Sequence, residues 1–515
     1  MRKVLSVASE AVPLVKTGGL ADVVGALPEA LAAQGWQMRV MLPAYPGVLD
    51  RLGATQVVWA DDHFFFGSGR LHLGRVGAVE VLALEAGHLY DRAGGPYSDA
   101  RGDYWDNPER FAALSWAAAQ VAMHGVAEPA PPAPPAKPAK PGSKAAKAAA
   151  AAEAAAAEAA ASGAGVWKPD VLHAHDWQGA LAPAYLRYAG SQVPSVLTIH
   201  NMAFQGRVGL AKMGVLRLPR EAFHRDGYEY WGEISTLKAG LTSASAITTV
   251  SPHYAEELMR AEFGLGLEGV MQARAGALHG ILNGIDTGVW NPEQDPECAP
   301  FSATKLSGKA INRKALQAEF NIDGTVDGPL VILVSRLTPQ KGIDLLPAAV
   351  EELVAAGGAL AVLGSGDAWA EEMVRGLAYR FPGRVGVRIG YDEGLSHRMF
   401  AGGDAVLVPS RFEPCGLTQL YGLRYGCLPL VSAVGGLADT VIGASPASLA
   451  AGAATGVVFH PVDDLALRQA MRRLCRLYAD RKTWGAMVRR AMRADLGWDA
   501  SAARYAALYE GLLGQ

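Results

Sequence analysis

Short apolar runs alternate along the chain with longer amphipathic runs, and this alternation predicts strands separated by helices. A first series of apolar runs lies at residues 4–9, 38–44, 79–85, 170–175, 195–200 and 246–251. A second series lies at residues 330–335, 359–365, 384–390, 404–410 and 427–432. Continuous β-branched runs that alternate with helices are typical of parallel sheets covered on both faces. The two series therefore predict two doubly wound α/β domains.

One segment, residues 128–165, fits neither series. Its first half is rich in proline, which favours extended polyproline II, and its second half is rich in alanine without an apolar stripe. A strand-like run follows it directly. The pattern predicts an exposed insertion between two elements of one domain, and a functional tail is the alternative.

Composition narrows the class of protein. The 515 residues suffice for two or three domains, and the net charge of −3 argues against binding to nucleic acid or to an anionic membrane. The four cysteines are widely spaced without a C-x-x-C pair, which argues against a disulfide scaffold and a zinc ribbon. No run is typical of a signal peptide or a membrane span. We expect a cytoplasmic protein, and the sequence does not indicate its oligomeric state.

The loops that follow the predicted strands carry most of the candidate chemistry, because ligands of doubly wound sheets bind at the carboxyl ends of the strands. Lys16, Gly18 and Gly19 follow the first run and precede a helix, a combination that suits a phosphate, although a plain strand–helix turn is the alternative. Arg336 and Lys341 follow the run at 330–335 and could grip a diphosphate together.

Glu413 follows the run at 404–410, just before a predicted helix start. Its carboxylate could accept hydrogen bonds from sugar hydroxyls while the N–H groups of that helix start hold a phosphate. An ordinary helix-capping role is the alternative.

The histidines at the ends of two strands admit three interpretations. His173, His175 and Asp176 could ligate a metal, position a sugar hydroxyl or serve a purely structural role, and His200 ends the next strand. A metal is disfavoured because no further spaced set of His or Asp completes a two-metal site.

A short pattern is repeated in the two halves. Residues 17–24 read TGGLADVV and residues 434–441 read VGGLADTV. Each follows a predicted strand and opens a predicted helix. Each half could thus place a glycine-rich turn at a helix N-terminus, and chance similarity is the alternative.

Taken together, these motifs resemble those of bacterial glycogen synthases of the ADP-glucose type, which are related to starch synthases in glycosyltransferase family 5. The resemblance rests on KTGGLADV, HAHDW, IHN, WGEISTLKAGL, NGID, SRLTPQKG, EPCGLTQLYGLRYG and GGLADT, in this order. It covers the whole chain except residues 128–165. Tyr421 stands where related sugar-nucleotide transferases carry a second Glu, as in family 5, and Gln178 stands where many relatives have His.

The resemblance implies a GT-B fold, with two Rossmann-like doubly wound α/β domains facing across a cleft. The expected domains are an N-terminal acceptor-side domain at 1–278 and a C-terminal nucleotide-sugar-binding domain at 285–495. A C-terminal helix at 496–515 is expected to return to the first domain.

The resemblance also implies a reaction, in which a retaining transferase moves glucose from ADP-glucose to the non-reducing end of an α-1,4-glucan, without a cofactor or a metal. Arg336 and Lys341 would hold the diphosphate, Glu413 the glucose hydroxyls, and His200 would lie against the anomeric centre. The remaining expected substrate contacts are Lys16, Gly18, Gly19, Tyr97, Asp176, Asn201, Asn283, Cys415, Gly416, Leu417 and Thr418.

Three other functions remain open. The same fold could use another donor such as UDP-glucose, or His173, His175 and Asp176 could form a metal-dependent hydrolase. A non-catalytic glucan-binding module is the third, and it is disfavoured because the cationic loop and Glu413 are both intact.

Overall fold

The computed structural model describes residues 1–128 and 165–514, and its contacts divide the chain into two compact units. Unit 1 comprises Met1–Thr248, Phe263–Leu278 and Ala502–Gln515, and unit 2 comprises Thr249–Glu262 and His279–Ser501. The described part of the chain contains no helix with the length and apolarity that a bilayer crossing needs.

Unit 1 is built on one large mixed sheet. Its main strands are β1 (Arg2–Val7), β2 (Trp36–Pro43), β3 (Gln56–Phe64), β4 (Gly67–Val76), β5 (Val79–Glu85), β6 (Val171–His175), β7 (Ser195–Ile199) and β8 (Ala246–Thr249). They are ordered β8-β7-β6-β1-β2-β5-β4-β3. Strands β7, β6, β1, β2 and β5 are paired in parallel, and their apolar runs are buried on both faces as the sequence predicts.

Strands β3 and β4 extend this sheet as an antiparallel hairpin that the sequence analysis did not predict. The residues of its turn, Phe65 and Phe66, have φ values of 46° and 71°. Such turns normally carry Asn or Gly, which accept positive φ at low cost, so the usual hairpin signal is absent from the sequence here.

Helices cover the sheet of unit 1, and short strands connect them. The helices are Gly19–Ala32, Val48–Leu52, Gly87–Tyr90, Asn107–His124, Asp176–Gly179, Leu181–Tyr188, Thr236–Ser243, Ala261–Gly264, Glu268–Ala273 and Asp499–Leu513, with 3₁₀ turns at Leu210–Lys212, Arg220–Ala222 and Ala275–Ala277. The short strands are Ser98–Asp99, Gly102–Asp103, Val126–Ala127, Val166–Trp167, Arg207–Val208, Glu229–Tyr230, Glu233–Ser235 and Leu278–Gly280.

The last helix, Asp499–Leu513, packs against unit 1 from residue 502 onward. The Tyr509 hydroxyl lies 2.7 Å from Nδ1 of His173, and its ring meets Trp36 edge to face. Glu510 forms an ion pair with Arg2. These contacts anchor the end of the chain on strands β1, β2 and β6.

The insertion predicted at 128–165 leaves and re-enters unit 1 at one place. Val126–Ala127 pairs with Val166–Trp167 in antiparallel register, and the Glu128 N–H donates to the Gly165 carbonyl at 2.7 Å. The expected polyproline and helical conformations concern residues 129–164, which lie outside the described residues.

Unit 2 contains a six-stranded parallel sheet. Its strands are β9 (Leu330–Val334), β10 (Ala359–Gly364), β11 (Val385–Ile389), β12 (Ala405–Val408), β13 (Leu428–Ser432) and β14 (Val457–Phe459), ordered β11-β10-β9-β12-β13-β14. Each of the first five lies within a run predicted from the sequence. The neighbours β9 and β12 end side by side, so the loops that follow them meet.

The helices of unit 2 pack on both faces of this sheet around one continuous apolar core. They are Pro252–Glu257, Ser307–Glu319, Leu346–Ala355, Ala368–Arg380, Glu393–Gly402, Thr418–Arg424, Gly435–Thr440, Pro446–Ala450, Asp464–Ala479 and Arg481–Ala491, with 3₁₀ turns at Pro339–Lys341 and Ile343–Leu345.

The stretch Thr249–Glu262 belongs to unit 2, whereas the sequence analysis included it in the N-terminal domain. Three contacts hold its helix there: the centroids of the Tyr254 and Phe412 rings are 5.3 Å apart, Glu257 accepts a hydrogen bond from the Gly435 N–H, and the His253 N–H donates to Asp439. No pattern in the sequence predicts these contacts. The limits of the domains as folding units stay a prediction.

Candidate functional site

The loop after β9 brings Lys341 to the side chain of Glu413. This loop closes through the 3₁₀ turn Pro339–Lys341 and Gly342, which has a φ of 67°. A Cβ at Gly342 would lie 2.1 Å from the carbonyl oxygen of Pro409, so the loop can pass the end of β12 only with glycine there. Lys341 Nζ then lies 2.5 Å from Glu413 Oε2.

The Lys341–Glu413 pair is largely shielded from solvent. The two side chains are 17% and 11% exposed, and Glu413 Oε2 also accepts a hydrogen bond from the Ser410 hydroxyl at 2.9 Å. Charged hydrogen bonds of this kind hold both groups in a defined position. The pair places a positive charge and a hydrogen-bond acceptor side by side at the carboxyl ends of adjacent strands.

Arg336 precedes Lys341 in the same loop, and its residue is exposed. Among residues 1–128 and 165–514 its guanidinium has no hydrogen-bond or ion-pair partner. The structure therefore brings Lys341 and Glu413 together. It leaves Arg336, five residues before Lys341 in the chain, exposed to solvent.

The segment after Glu413 forms a turn into the helix Thr418–Arg424. Gly416 has a φ of 70°, and the Gln419 side-chain amide donates to the carbonyls of Cys415 and Gly416, at 2.9 Å each. These bonds orient the Gly416–Leu417–Thr418 backbone. The first N–H groups of a helix have no partners within the helix, which leaves them able to bind an anion.

Asn283 lies against Cys415 and is hydrogen-bonded to it. Burial raises the pKa of the Cys415 thiol to about 12, although hydrogen bonds with Asn283 oppose the shift. A thiol with this pKa is neutral near pH 7, so Cys415 is not an activated nucleophile. The side-chain oxygen of Asn283 is buried without a hydrogen-bond partner within the described residues.

In unit 1, the turn with Lys16, Gly18 and Gly19 is organised by Glu10. The Glu10 carboxylate accepts hydrogen bonds from the Thr17 hydroxyl at 2.6 Å, from the Gly18 N–H at 3.3 Å, and from the Thr17 N–H. The Tyr97 hydroxyl binds the same carboxylate. Four backbone and hydroxyl donors thus converge on one buried side chain.

Glu10 is not among the site residues predicted from the sequence. The available signal was a carboxyl group three residues after a strand whose last four residues are buried. Lys16, on the other side of the turn, lies 2.8 Å from Asp22. Gly18 and Gly19 are exposed at the start of the first helix.

A second group in unit 1 joins Asp176 to His200 and Asn201. Asp176 has a φ of 49°, and its Oδ1 accepts hydrogen bonds from the backbone N–H groups of His200 at 2.7 Å and Asn201 at 3.4 Å. Burial raises the pKa of Asp176 to about 7, although the two N–H groups oppose the shift and the nearby Glu10 adds to it. The structure therefore brings the Asp176 and Glu10 groups close together.

The imidazole of His200 is neutral near pH 7, because burial lowers its pKa to about 3. Its Nε2 lies 3.1 Å from Nδ1 of His175, whose Nε2 lies 3.2 Å from the Ser6 hydroxyl. This chain of hydrogen bonds orients the His200 ring.

The two histidines of the possible metal motif use their ring nitrogens in hydrogen bonds. His173 binds Tyr509 and Thr198 at 2.7 and 2.6 Å, and His175 binds Ser6 and His200. Within the part of the chain that the structure describes, no group of three or more His, Cys, Asp or Glu side chains is placed to hold a metal ion.

Comparisons with known proteins cover both units. A family model described as the starch synthase catalytic domain matches residues 3–132 and 136–273, and one described as glycosyl transferases group 1 matches residues 328–476. The chain is 55% identical to a glycogen synthase of Cereibacter sphaeroides over 512 residues, which are 99% of this chain and 98% of the relative. It is 52% identical to a glycogen synthase of Paracoccus denitrificans over 514 residues, 99% and 100% of the two chains.

Among solved structures, the catalytic domain of Starch Synthase IV from Arabidopsis thaliana, bound to ADP and acarbose, is similar over 100% of both chains. The TM-score is 0.83 and the sequence identity is 29%. Together with the two α/β units, this likeness confirms the predicted fold class, GT-B.

Proposed function

The chain belongs to the glycogen synthase family, and on that premise we propose that it elongates an α-1,4-glucan with glucose from ADP-glucose. Glucose is added at the non-reducing end with retention of the anomeric configuration. The enzyme is a glycosyltransferase with a nucleotide-sugar donor and a glucan acceptor. The ADP named for the starch synthase structure supports an adenine nucleotide as the donor's leaving group.

The observation that carries the proposal is the Lys341–Glu413 pair at the ends of β9 and β12. Breaking the glycosidic bond of the donor places negative charge on the departing diphosphate. Lys341 and Arg336 provide positive charge for that group, while Glu413 accepts hydrogen bonds from the glucose hydroxyls. Fixed charges of this kind stabilise a transition state because they need no rearrangement during the reaction.

The backbone of Cys415, Gly416, Leu417 and Thr418 contributes N–H donors to the sugar and phosphate. Asn283 lies beside Cys415 and contributes its side-chain amide. Because the Cys415 thiol is neutral, it does not attack the sugar as a nucleophile.

Residues of unit 1 complete the proposed set. His200 lies against the anomeric centre as a neutral imidazole, so it donates or accepts a hydrogen bond rather than supplying charge. Lys16, Gly18 and Gly19 contact the donor phosphates, and Tyr97, Asp176 and Asn201 contact the sugars. The reaction as proposed uses no metal and no cofactor, because Arg336 and Lys341 supply the positive charge.

The domain organisation and the location are also proposals. We propose an acceptor-side domain at 1–278, a donor-binding domain at 285–495 and a terminal helix at 496–515. We place the enzyme in the cytoplasm, without a nucleic-acid or membrane partner.

The purified chain tests the proposal when it is incubated with glycogen and either ADP-glucose or UDP-glucose. We expect nucleotide release that requires glycogen and is faster with ADP-glucose, with glucose incorporated into the glucan in equal amount. Release without incorporation would contradict transfer, and a preference for UDP-glucose would contradict the assigned donor. Activity that disappears with EDTA and returns with a divalent metal would favour the metal-dependent alternative.

A further inference from the structure

Glu257 is a buried carboxylate that the proposed reaction does not use. It ends the helix Pro252–Glu257 in unit 2, and it is 4% exposed. Its Oε1 accepts a hydrogen bond from the Gly435 N–H at 3.0 Å, while its Oε2 is buried without a hydrogen-bond partner within the described residues. Burial also raises its pKa. A buried Glu of this kind is costly, so its presence calls for an explanation.

The turn that Glu257 binds lies directly on the backbone of the Glu413 loop. The Gly436 N–H donates to the carbonyls of Glu413 and Pro414, at 3.1 and 3.0 Å. A Cβ at Gly435 would lie 2.1 Å from the Glu413 carbonyl oxygen, and one at Gly436 would lie 2.2 Å from the Cys415 carbonyl oxygen. The two glycines allow a close contact that no other residue could make.

Two further contacts join the helix of Glu257 to the same region. The Tyr254 ring meets the Phe412 ring edge to face, with centroids 5.3 Å apart. The backbone N–H of His253, at the start of the helix, donates to the Asp439 carboxylate at 2.8 Å. The helix therefore holds both ends of the Gly435–Asp439 segment and touches the residue before Glu413.

We propose that Glu257 is a positioning residue for Glu413, and the inference rests on the proposed function. Its carboxylate fixes Gly435, and the adjacent Gly436 N–H fixes the Glu413 carbonyl, so the side chain of Glu413 meets Lys341 and the donor hexose in one defined place. The path from Glu257 to Glu413 consists of one hydrogen bond, one peptide unit and a second hydrogen bond. Because no flexible side chain lies between them, a displacement of the Gly435–Gly436 turn would also displace the Glu413 backbone.

Three variants test the inference in the ADP-release assay with glycogen. Glu257→Ala removes the acceptor, Glu257→Gln keeps an oxygen acceptor of the same reach, and Glu256→Ala is the matched control, because Glu256 is the exposed neighbour on the same helix. Thermal unfolding of each variant sets an assay temperature at which all are fully folded.

We expect Glu257→Ala to lower kcat by roughly 10-fold to 100-fold, because small displacements of catalytic groups have effects of this size. The KM for ADP-glucose should change less than kcat, since a displaced Glu413 still binds the ground state. Glu257→Gln should recover most of the lost kcat, and Glu256→Ala should match the wild type. A residue that acts only on stability would change the unfolding temperature and leave kcat of the folded enzyme unchanged.

The inference is overturned if folded Glu257→Ala has wild-type kcat, or if Glu257→Gln is as impaired as Glu257→Ala. If Glu257→Ala does not fold, Glu257→Asp decides, because it shortens the side chain by one methylene; an unchanged kcat would then overturn the inference and a reduced one would support it. A wild-type chain without glycogen-dependent ADP release would contradict the proposed function instead. The two failures are thus distinguishable.

Discussion

The same five residues, Gly-Gly-Leu-Ala-Asp, occur once in each unit of the molecule, at 18–22 and at 435–439. Each copy begins a helix, and in each a buried glutamate from outside the copy accepts a hydrogen bond from its backbone. Glu10 holds the Gly18 N–H in unit 1, and Glu257 holds the Gly435 N–H in unit 2. The repeat seen in the sequence therefore corresponds to a repeated local arrangement.

The surroundings of the two copies differ. A Cβ at Gly18 would meet nothing within 4 Å, whereas Cβ atoms at Gly435 and Gly436 would lie within 2.2 Å of backbone oxygens. The turn in unit 1 is open and can face a ligand, while the turn in unit 2 is closed and supports the Glu413 loop. The same five residues thus form an open turn in unit 1 and a supporting turn in unit 2, and the difference lies in the residues packed around each copy.

The strongest loss of turnover is predicted for Lys341, beside Glu413 in unit 2, and a weaker one for Lys16, beside the turn in unit 1. Lys341→Ala should lower turnover by at least ~100-fold, because it removes a shielded charge beside Glu413. Lys16→Ala should have a smaller effect, since Lys16 is exposed and paired with Asp22, so solvent screens its charge. Steady-state kinetics with ADP-glucose measure both, and the exposed Lys305 provides an alanine control. Equal losses of turnover in the Lys341→Ala and Lys16→Ala variants would contradict the role assigned to Lys341.

The second effect concerns stability. Gly436→Ala should lower the free energy of unfolding by about 1–3 kcal/mol, because its Cβ would overlap the Cys415 backbone. Gly18→Ala should lie within about 0.5 kcal/mol of the wild type, since its site is open. Denaturant unfolding of both variants measures the difference. A Gly436→Ala variant as stable as the wild type would show that the turn in unit 2 is not closed.

A third effect concerns the pH dependence of the unfolding free energy. Burial lowers the pKa of His173 in unit 1 to about 3, from an ordinary value of 6.5. The unfolded chain therefore binds a proton that the folded chain does not, and stability is lost as the pH falls from 6.5 towards 3. His173→Gln should reduce this slope of the unfolding free energy.

The smallest effect is expected from the insertion. Because Glu128 and Gly165 are hydrogen-bonded, an Asn-Gly turn can replace residues 129–164 and continue the short ladder between them. We expect kcat and KM to remain at their wild-type values. A loss of activity in the folded variant would show that the segment takes part in catalysis, and a loss of folding would show that it is structural.

The parallel strands could be predicted because burial on both faces leaves a continuous apolar run in the sequence. Strand β9 at Leu330–Val334 and strand β13 at Leu428–Ser432 lie within the runs that predict them. The hairpin of β3 and β4 has no continuous apolar run, because its strands mix exposed and buried residues. Its turn also carries Phe65 and Phe66 in place of Asn-Gly.

The site could be predicted only in part, for a similar reason. Glycines and cations after a strand form a local pattern, and that pattern predicts Gly18, Arg336 and Lys341 as site residues. The roles of Glu10 and Glu257 depend on hydrogen bonds to turns that fold against them, and for Glu257 the partner Gly435 is far away in the chain. A single glutamate in an ordinary stretch of sequence carries no sign of such a partner.

A crystal structure of the chain with ADP-glucose would show whether Lys341 and Glu413 bind the donor together. We expect a diphosphate oxygen within hydrogen-bond distance of Lys341 Nζ, the Arg336 guanidinium against the same diphosphate, and a glucose hydroxyl on the Glu413 carboxylate. A donor bound with neither cation on its diphosphate, and with Glu413 facing away from the hexose, would contradict this expectation.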